Sequence, residues 1–341
     1  MLDWASRVDD LADKLAREHA VDDRLAVEIL LATLVGCPRT ASPWLILETD
    51  WYDRQCLDAW FSFGQLWAPC TLARLRARSP WRVIEAEMKE MLDAPPRERL
   101  FIECDYERYP IFNRLTQARY ILQRSLRIRV RSARAPDPLR SLDQRDKDRR
   151  TDELSAAARY ALEDHAGLRP VDPPRFVEPP NFLYHVELVQ RLAPWYPDWK
   201  ILVQAFALIA IRRAYLHGRL ETDETDTRAM ARVLGDSIPP WVRKALGVLV
   251  EGPSKTQTME KRMQLEEKTK RSGHGAHREL VRLHRAGIVW WNKQGQTWNI
   301  VEKHREGVRA ALENRAFTGA RAAGVPAGTR VDAGSTSGTS Q

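Results

Sequence analysis

Residues 272–300 constrain the fold of this chain more strongly than any other segment, because their apolar pattern changes from helical to extended. Ala276, Leu280 and Leu283 recur at positions i, i+4 and i+7, which is the spacing of one buried stripe of a helix. Gly287 ends this spacing, and two short extended runs follow on either side of "NKQGQ". The segment therefore predicts an amphipathic helix followed directly by a two-stranded hairpin.

The excess positive charge of the chain lies in the same region. Residues 255–315 contain 14 Lys and Arg against 7 Asp and Glu, a balance of +7, whereas residues 1–254 hold 38 charges of each sign. A localised basic module is the electrostatic footprint expected of a protein that binds nucleic acid. A solvated basic surface is the alternative, and the charge balance alone does not separate the two.

The composition is that of a globular protein with a sizeable core. The chain has 341 residues, of which 43% are hydrophobic, and this is enough for two or three domains. No apolar run reaches the length of a membrane span, and the amphipathic, acidic N-terminus is unlike a secretory signal. We therefore expect a cytoplasmic protein that does not bind a membrane.

The cysteines and histidines indicate neither a disulfide framework nor a metal centre. The four cysteines are Cys37, Cys56, Cys70 and Cys104. No two of them form a CxxC pair, so structural thiols in a reducing compartment are expected. His274 and His277 are close enough in sequence to suggest a metal pair, but no further ligands follow at a suitable spacing. We expect no bound metal.

Composition and periodicity divide the chain into five regions, which together predict an α/β, mainly helical protein. Residues 1–135 alternate helical stretches with short apolar runs such as "SPWLILE" and "RLFIEC", the rhythm of an α/β layer with mainly parallel strands. Residues 136–180 are rich in proline and charge and read as a linker with one helix. Residues 181–235 are helical, residues 236–315 contain the helix and hairpin, and residues 316–341 predict a disordered tail.

The order of three helices followed by a hairpin resembles the winged helix-turn-helix family over residues 239–311. The stretch "HRELVRLHRAGIV" is similar to the recognition helix of that family, with glycine and two aliphatic residues leading into the wing. In this fold the second helix of the motif enters the major groove of DNA, and the wing lies along the adjacent backbone. Many winged helices instead dock on proteins, so a docking surface is the alternative.

The resemblance implies which residues would contact DNA. Arg278 and Arg282 would face bases or phosphates, and His274 and His277 would lie near the start of the helix. The remaining contacts would be Lys270, Arg271, Arg285, Lys293, Gln294 and Gln296, the last three at the tip of the wing. Trp290, Trp291 and Trp298 are expected to pack in the wing and core.

A second resemblance concerns the region before the winged helix. "RLETDETDTRAMARVLGDSIPPWVRKALGVLV" is similar to the junction between the helical lid of an AAA+ ATPase and an attached winged helix. Such junctions occur in replication initiators and helicase loaders of mobile genetic elements. Thr222 to Asp226 would open a helix that packs beside the longer "LIAIRRAYLHGRLE". The resemblance implies an AAA+-like N-terminal region and a role in DNA replication or recombination.

The sequence lacks the motif that nucleotide chemistry needs. A phosphate-binding loop requires a pattern such as GxxxxGK[ST], and none occurs. "RLFIECDYE" is similar to a Walker B strand, in which Asp105 and Glu107 would bind magnesium and activate water. A buried strand ending in solvated carboxylates is the other interpretation. We therefore expect a degenerate AAA+-like region that does not hydrolyse ATP, with neither cofactor nor nuclease activity.

A basic stretch near the end of the first region forms a further candidate surface. "QARYILQRSLRIRVR" contains Arg119, Arg124, Arg127, Arg129 and Arg131. Few acidic residues lie nearby, which favours a contact surface for nucleic acid or an acidic partner over a solvated face.

Taken as a whole, the sequence predicts a protein that binds double-stranded DNA through its C-terminal winged helix and has no catalytic residues. The N-terminal region would bind a partner protein or a second copy of the chain. Two other functions stay open. One is an active or partner-assisted ATPase, and the other is a protein-interaction adaptor or transcriptional regulator without catalysis.

Overall fold

The computed structural model describes eight stretches of the chain and several isolated positions. The stretches are residues 23–34, 44–48, 70–75, 99–104, 125–129, 172–193, 198–266 and 274–317. The helices are α1 (Arg24–Leu34), α2 (Phe182–Leu192), α3 (Trp199–Leu216), α4 (Glu224–Ser237), α5 (Pro240–Glu251), α6 (Thr256–Glu266), α7 (His274–Arg285) and α8 (Glu302–Leu312). The strands are β1 (Trp44–Glu48), β2 (Cys70–Leu75), β3 (Arg99–Cys104), β4 (Ser125–Arg129), β5 (Val289–Asn292) and β6 (Thr297–Ile300). This part of the chain is mainly helical, as the sequence predicted.

The described residues form two compact units. The first contains the described residues of Met1–Val177 together with Gln204–Met230. The second contains the described residues of Glu178–Val203 and Ala231–Ala327. The second unit includes α2 as well as the basic C-terminal helices, although the sequence placed α2 in a separate helical region.

The first unit contains a four-stranded sheet in the order β2-β3-β1-β4. Its described pairs are all parallel, with Leu45 opposite Phe101 in β3 and opposite Leu126 in β4. The runs "SPWLILE" and "RLFIEC" supply β1 and β3, in agreement with the prediction of parallel strands. Leu45, Leu126 and Ile128 are fully buried.

Arg127 differs from the sequence prediction. It was expected on a basic contact surface, but it lies in the middle of β4 with only 1% of its surface exposed. Its neighbours Leu126 and Ile128 are buried as well, so both faces of the strand are covered there. Arg127 is therefore not available to a nucleic acid. The predicted contacts Arg119, Arg124 and Arg131 lie outside the described residues.

A buried network of charged side chains connects α1, α3 and α4 in the first unit. Arg213 of α3 forms ion pairs with Glu28 of α1 and with Asp226 of α4, the latter at 2.9 Å. Asp226 also accepts a hydrogen bond of 2.8 Å from Arg219. Burial alone would raise the pKa of Glu28, but the neighbouring His217 and Arg213 outweigh it and lower this pKa to about 2. The carboxylate is consequently held in its ionised form.

Two helices end at glycines in the left-handed conformation, as the sequence predicted for Gly287. Gly287 has a φ of 72°, and after it Ile288 N–H donates back to the carbonyl of Leu283 at 3.0 Å. Gly218 ends α3 in the same manner with a φ of 65°. A residue with a Cβ is disfavoured at this φ, so glycine fixes the point where α7 stops and the hairpin begins.

The segment that follows α8 also differs from the sequence prediction. Residues 316–341 were expected to form a disordered tail, but Ala316 and Phe317 are fully buried in the second unit. Phe317 packs against Phe182 of α2, with ring centroids 5.4 Å apart. The rest of the predicted tail, from residue 318, lies outside the described residues.

Candidate nucleic-acid interface

The helix α7 buries the stripe that its sequence predicts. Leu280 and Leu283 are fully buried, and Ala276 is nearly so. The helices α5 and α7 contact each other, and Leu246 and Leu249 of α5 are buried as well. Because this stripe marks the inner side of α7, the period of about 3.6 residues per turn shows which residues lie on its outer side and on its two edges.

The outermost side of α7 carries two free arginines. Arg278 and Arg285 are seven positions apart, or nearly two turns, and both are exposed. No described residue forms a hydrogen bond or an ion pair with either guanidinium. Both side chains are therefore able to receive an external anion.

Arg282 lies at the edge of this side and is engaged within the protein. Its guanidinium donates to the carbonyl oxygens of Leu192 at 2.8 Å and of Arg191 at 3.3 Å, at the end of α2. Its Nε donates to Glu279 at 2.8 Å. The side chain is 24% exposed. Arg282 therefore differs from Arg278 in having partners within the protein. The spacing along α7 could not reveal this difference, because it does not show that α2 ends beside Arg282.

The opposite edge of α7 faces the hairpin. His277 and His284 both lie edge-on to the ring of Trp298, with centroid distances of 6.4 and 6.1 Å. The Nδ1 atom of His284 also lies 2.9 Å from the carbonyl oxygen of Val289. The predicted contact His277 is exposed, so it borders the outer side of α7 while it packs on Trp298.

The hairpin of β5 and β6 presents polar residues at its tip. Lys293, Gln294 and Gln296 all lie at this tip and are exposed. The turn is closed by Asn292, whose Oδ1 accepts hydrogen bonds from the backbone N–H groups of Gln294 and Gly295 at 3.1 and 3.3 Å. This turn holds the ammonium and the two amides at the end of the hairpin.

The three tryptophans of the hairpin do not share one environment. Trp298 is 5% exposed and donates its indole N–H to Thr256 at 3.0 Å. Trp291 packs on it, with ring centroids 5.0 Å apart. These two fit the prediction of packing in the wing and core, whereas Trp290 is 44% exposed.

The helix α2 contacts α8 as well as α7, a relationship that the sequence did not predict. The hydroxyl of Tyr184 lies 3.2 Å from Nδ1 of His304, and the two rings are stacked. A Cβ on Gly307 would stand 2.5 Å from the Tyr184 ring, so glycine permits this close approach. His185 is buried beside them, and burial lowers its pKa to about 4. The second unit therefore contains α2 as an integral helix.

Several predicted residues have no described side chain. Lys270, Arg271, Asp105 and Glu107 lie outside the described residues, and His274 is described only as the first residue of α7. Within the described part of the chain, no group of three or more His, Cys, Asp or Glu side chains is arranged to hold a metal ion. No described helix combines the length and the hydropathy needed to cross a membrane.

No protein-family model and no curated protein matches this chain. The assignment of the interface therefore depends on the chemistry of its exposed groups. Two guanidinium groups, one ammonium and two amides lie on the outer side of α7 and on the hairpin tip. These are hydrogen-bond donors suited to phosphate oxygens and to acceptor atoms on base edges. The one acid described on this edge of α7, Glu279, is paired with Arg282.

Proposed function

We propose that this chain binds double-stranded DNA through the outer side of α7 and the tip of the β5–β6 hairpin. Arg278 and Arg285 would contact bases or phosphates in the major groove, with His274 near the start of the helix. Lys293, Gln294 and Gln296 would contact the adjacent backbone. Arg282 is not among the proposed contacts.

One observation carries this proposal. Arg278 and Arg285 are exposed on the same side of one helix, and no described residue neutralises either of them. Several exposed arginines elsewhere in the described residues have acidic partners, such as Arg228 with Glu224. Unpaired guanidinium groups on a helix within a segment of charge +7 are suited to a polyanion.

The arrangement around α7 supports a winged helix as the frame of this site. The helices α5, α6 and α7 precede the hairpin, in the order that the resemblance implies. Ser254, between α5 and α6, exchanges backbone hydrogen bonds of 3.1 and 2.9 Å with Trp298 of β6. This bridge adds a third extended segment to the hairpin and holds its base against the helices.

The wider role is proposed from the lid resemblance. The chain would act as an AAA+-like factor that does not hydrolyse ATP, in replication or recombination of a mobile genetic element. Its N-terminal region would bind a partner protein or a second copy. The absence of a GxxxxGK[ST] pattern from the sequence supports binding rather than ATP hydrolysis.

Duplex-DNA binding by the full chain tests the proposal. Fluorescence anisotropy would compare the wild type with the double variant Arg278→Ala/Arg285→Ala across a salt series. The matched control is Arg175→Ala/Arg228→Ala, which removes two positive charges from exposed arginines in the first unit that already pair with glutamates. Addition of ATP and magnesium in a parallel series tests the ATPase alternative.

The wild type and the control should bind with an affinity that falls steeply with salt, because bound phosphates release counterions. The Arg278→Ala/Arg285→Ala variant should bind much more weakly. Equal loss in both double variants would indicate a general charge effect. No binding by the wild type would reject DNA as the partner and favour the protein-interaction adaptor, with the same helix face as its docking surface.

A further inference from the structure

The end of α2 is completed by a side chain of α7. The last four carbonyl groups of a helix have no partner within it, and those of Arg191 and Leu192 are among them. Arg282 donates to both oxygens, at 3.3 and 2.8 Å. The negative end of the α2 dipole favours a cation at this position. The contact joins residues that are 90 positions apart in the chain.

The guanidinium of Arg282 is held by three groups at once. Besides the two carbonyl oxygens, Glu279 accepts a hydrogen bond from Nε at 2.8 Å. Glu279 is itself only 22% exposed, so this pair is partly shielded from water. A planar guanidinium has its donors in a fixed fork, and this fork matches three acceptors that point from two helices. An ammonium group does not reproduce the arrangement.

The other half of α2 is fixed to α8. Tyr184 bonds to His304 and packs on Gly307, while Phe182 packs on Phe317. Through α2, the C-terminal helix α8 is thus connected to the flank of α7. The hairpin holds the opposite flank through Trp298.

We infer that Arg282 is a positioning residue, which clamps α7 to the end of α2 and thereby directs Arg278 and Arg285 outward. This inference rests on the proposed function, since it concerns the same DNA-binding helix. It assigns to α2 a part in DNA binding although α2 need not touch the DNA. It also separates the three arginines of "HRELVRLHR" into two that contact the duplex and one that orients them.

The experiment uses the full chain with four single variants: Arg282→Ala, Arg282→Lys, Arg278→Ala and Arg278→Lys. Binding to a mixed-sequence duplex would be measured by anisotropy at fixed salt. Hydrogen exchange of the free proteins would report on the amides of α2 and α7. Lysine can replace arginine as a point charge beside a phosphate, but it cannot form the fork that joins α7 to α2.

We expect Arg282→Ala and Arg282→Lys to weaken binding alike, by about tenfold, because without the clamp α7 would hold the binding-competent orientation in only about a tenth of the molecules. Both should accelerate hydrogen exchange at the last turn of α2 in the absence of DNA. Arg278→Lys should retain most of the affinity that Arg278→Ala loses, and neither should change the exchange.

Three outcomes would overturn the inference. If Arg282→Lys binds like the wild type while Arg282→Ala does not, Arg282 acts on DNA as a charge. If both Arg282 variants bind normally, the clamp has no part in DNA binding and the proposed function stands alone. If exchange in α2 is unchanged in a folded Arg282→Lys protein, the clamp itself is absent. A wild type that does not bind DNA would reject the proposed function, and hydrogen exchange would still decide whether the clamp exists.

Discussion

The guanidinium of Arg243 donates a hydrogen bond of 2.7 Å to the carbonyl oxygen of Leu312, and so joins the start of α5 to the end of α8. The same side chain also donates to the carbonyl of Gly235 in the last turn of α4. In the second unit, α5, α8 and the last turn of α4 therefore meet at one arginine. Its loss would leave two helix-end carbonyls without this donor in a partly buried place.

We expect Arg243→Ala to lower the free energy of unfolding by about 1 to 3 kcal/mol, because the carbonyls of Leu312 and Gly235 would both lose a hydrogen bond from a charged donor. Chemical denaturation followed by circular dichroism would measure the change. The control is Arg262→Ala, since Arg262 forms an exposed ion pair with Glu251, and such pairs contribute little. Equal effects of the two substitutions would contradict the role of Arg243.

Two residues of the candidate interface should affect DNA binding differently. If Arg278 reads a base edge, Arg278→Ala should cost about 1 to 3 kcal/mol and reduce discrimination between sequences. Lys293→Ala should weaken binding to all sequences alike and reduce the salt slope by about 1, because an ammonium at the hairpin tip neutralises phosphate. Competition binding with a pool of duplexes at several salt concentrations would separate these effects. A change in sequence preference in the Lys293 variant would contradict the assignment.

The pKa of Glu28 predicts a loss of stability in acid. Burial opposes ionisation of this carboxyl, but His217 and Arg213 lower its pKa from 4.5 to about 2. The ionised form is therefore favoured in the folded state, and its contribution is complete above the unfolded pKa of 4.5 and lost as the pH falls toward about 2. A pKa shift of this size corresponds to about 3 kcal/mol of folding stability.

Unfolding measured between pH 6 and 2 should therefore be less pH-dependent in Glu28→Gln than in the wild type. The variant should also be less stable near neutral pH, because Arg213 keeps its charge in a buried place. Glu224→Gln is the matched control, since Glu224 is exposed in its pair with Arg228. Identical pH profiles for Glu28→Gln and the wild type would show that this carboxyl does not titrate as described.

His185 should make stability depend on pH as well, at higher pH than Glu28 does. Burial lowers its pKa from 6.5 to about 4, so the folded protein favours the neutral ring. Its contribution is present above pH 6.5 and is lost as the pH falls toward about 4, where the unfolded state binds the proton more readily. His185→Leu should remove this slope between pH 6.5 and 4. A slope that persists in the variant would assign it to another group, such as His304, whose pKa burial also lowers.

The sequence predicted the features that depend on residues close together in the chain. The spacing of Ala276, Leu280 and Leu283 identified the buried side of α7, and Gly287 marked its end, because both follow from the period and the dihedral preferences of the local chain. The sequence did not predict the roles of Arg127 and Arg282. An arginine can be solvated, paired or buried at the same place in a pattern, and its surroundings come from distant segments.

The arginines that donate to helix-end carbonyls also determine where this chain could be cut into fragments. Arg212 donates to the carbonyl of Thr33 at the end of α1, and Arg282 does so for Leu192 at the end of α2. These partners are 179 and 90 positions apart in the chain. The last turns of α1 and α2 are therefore completed only when remote parts of the chain have folded, and contacts of such long sequence separation slow folding. A fragment cut between such partners would lose order at a helix end far from the cut.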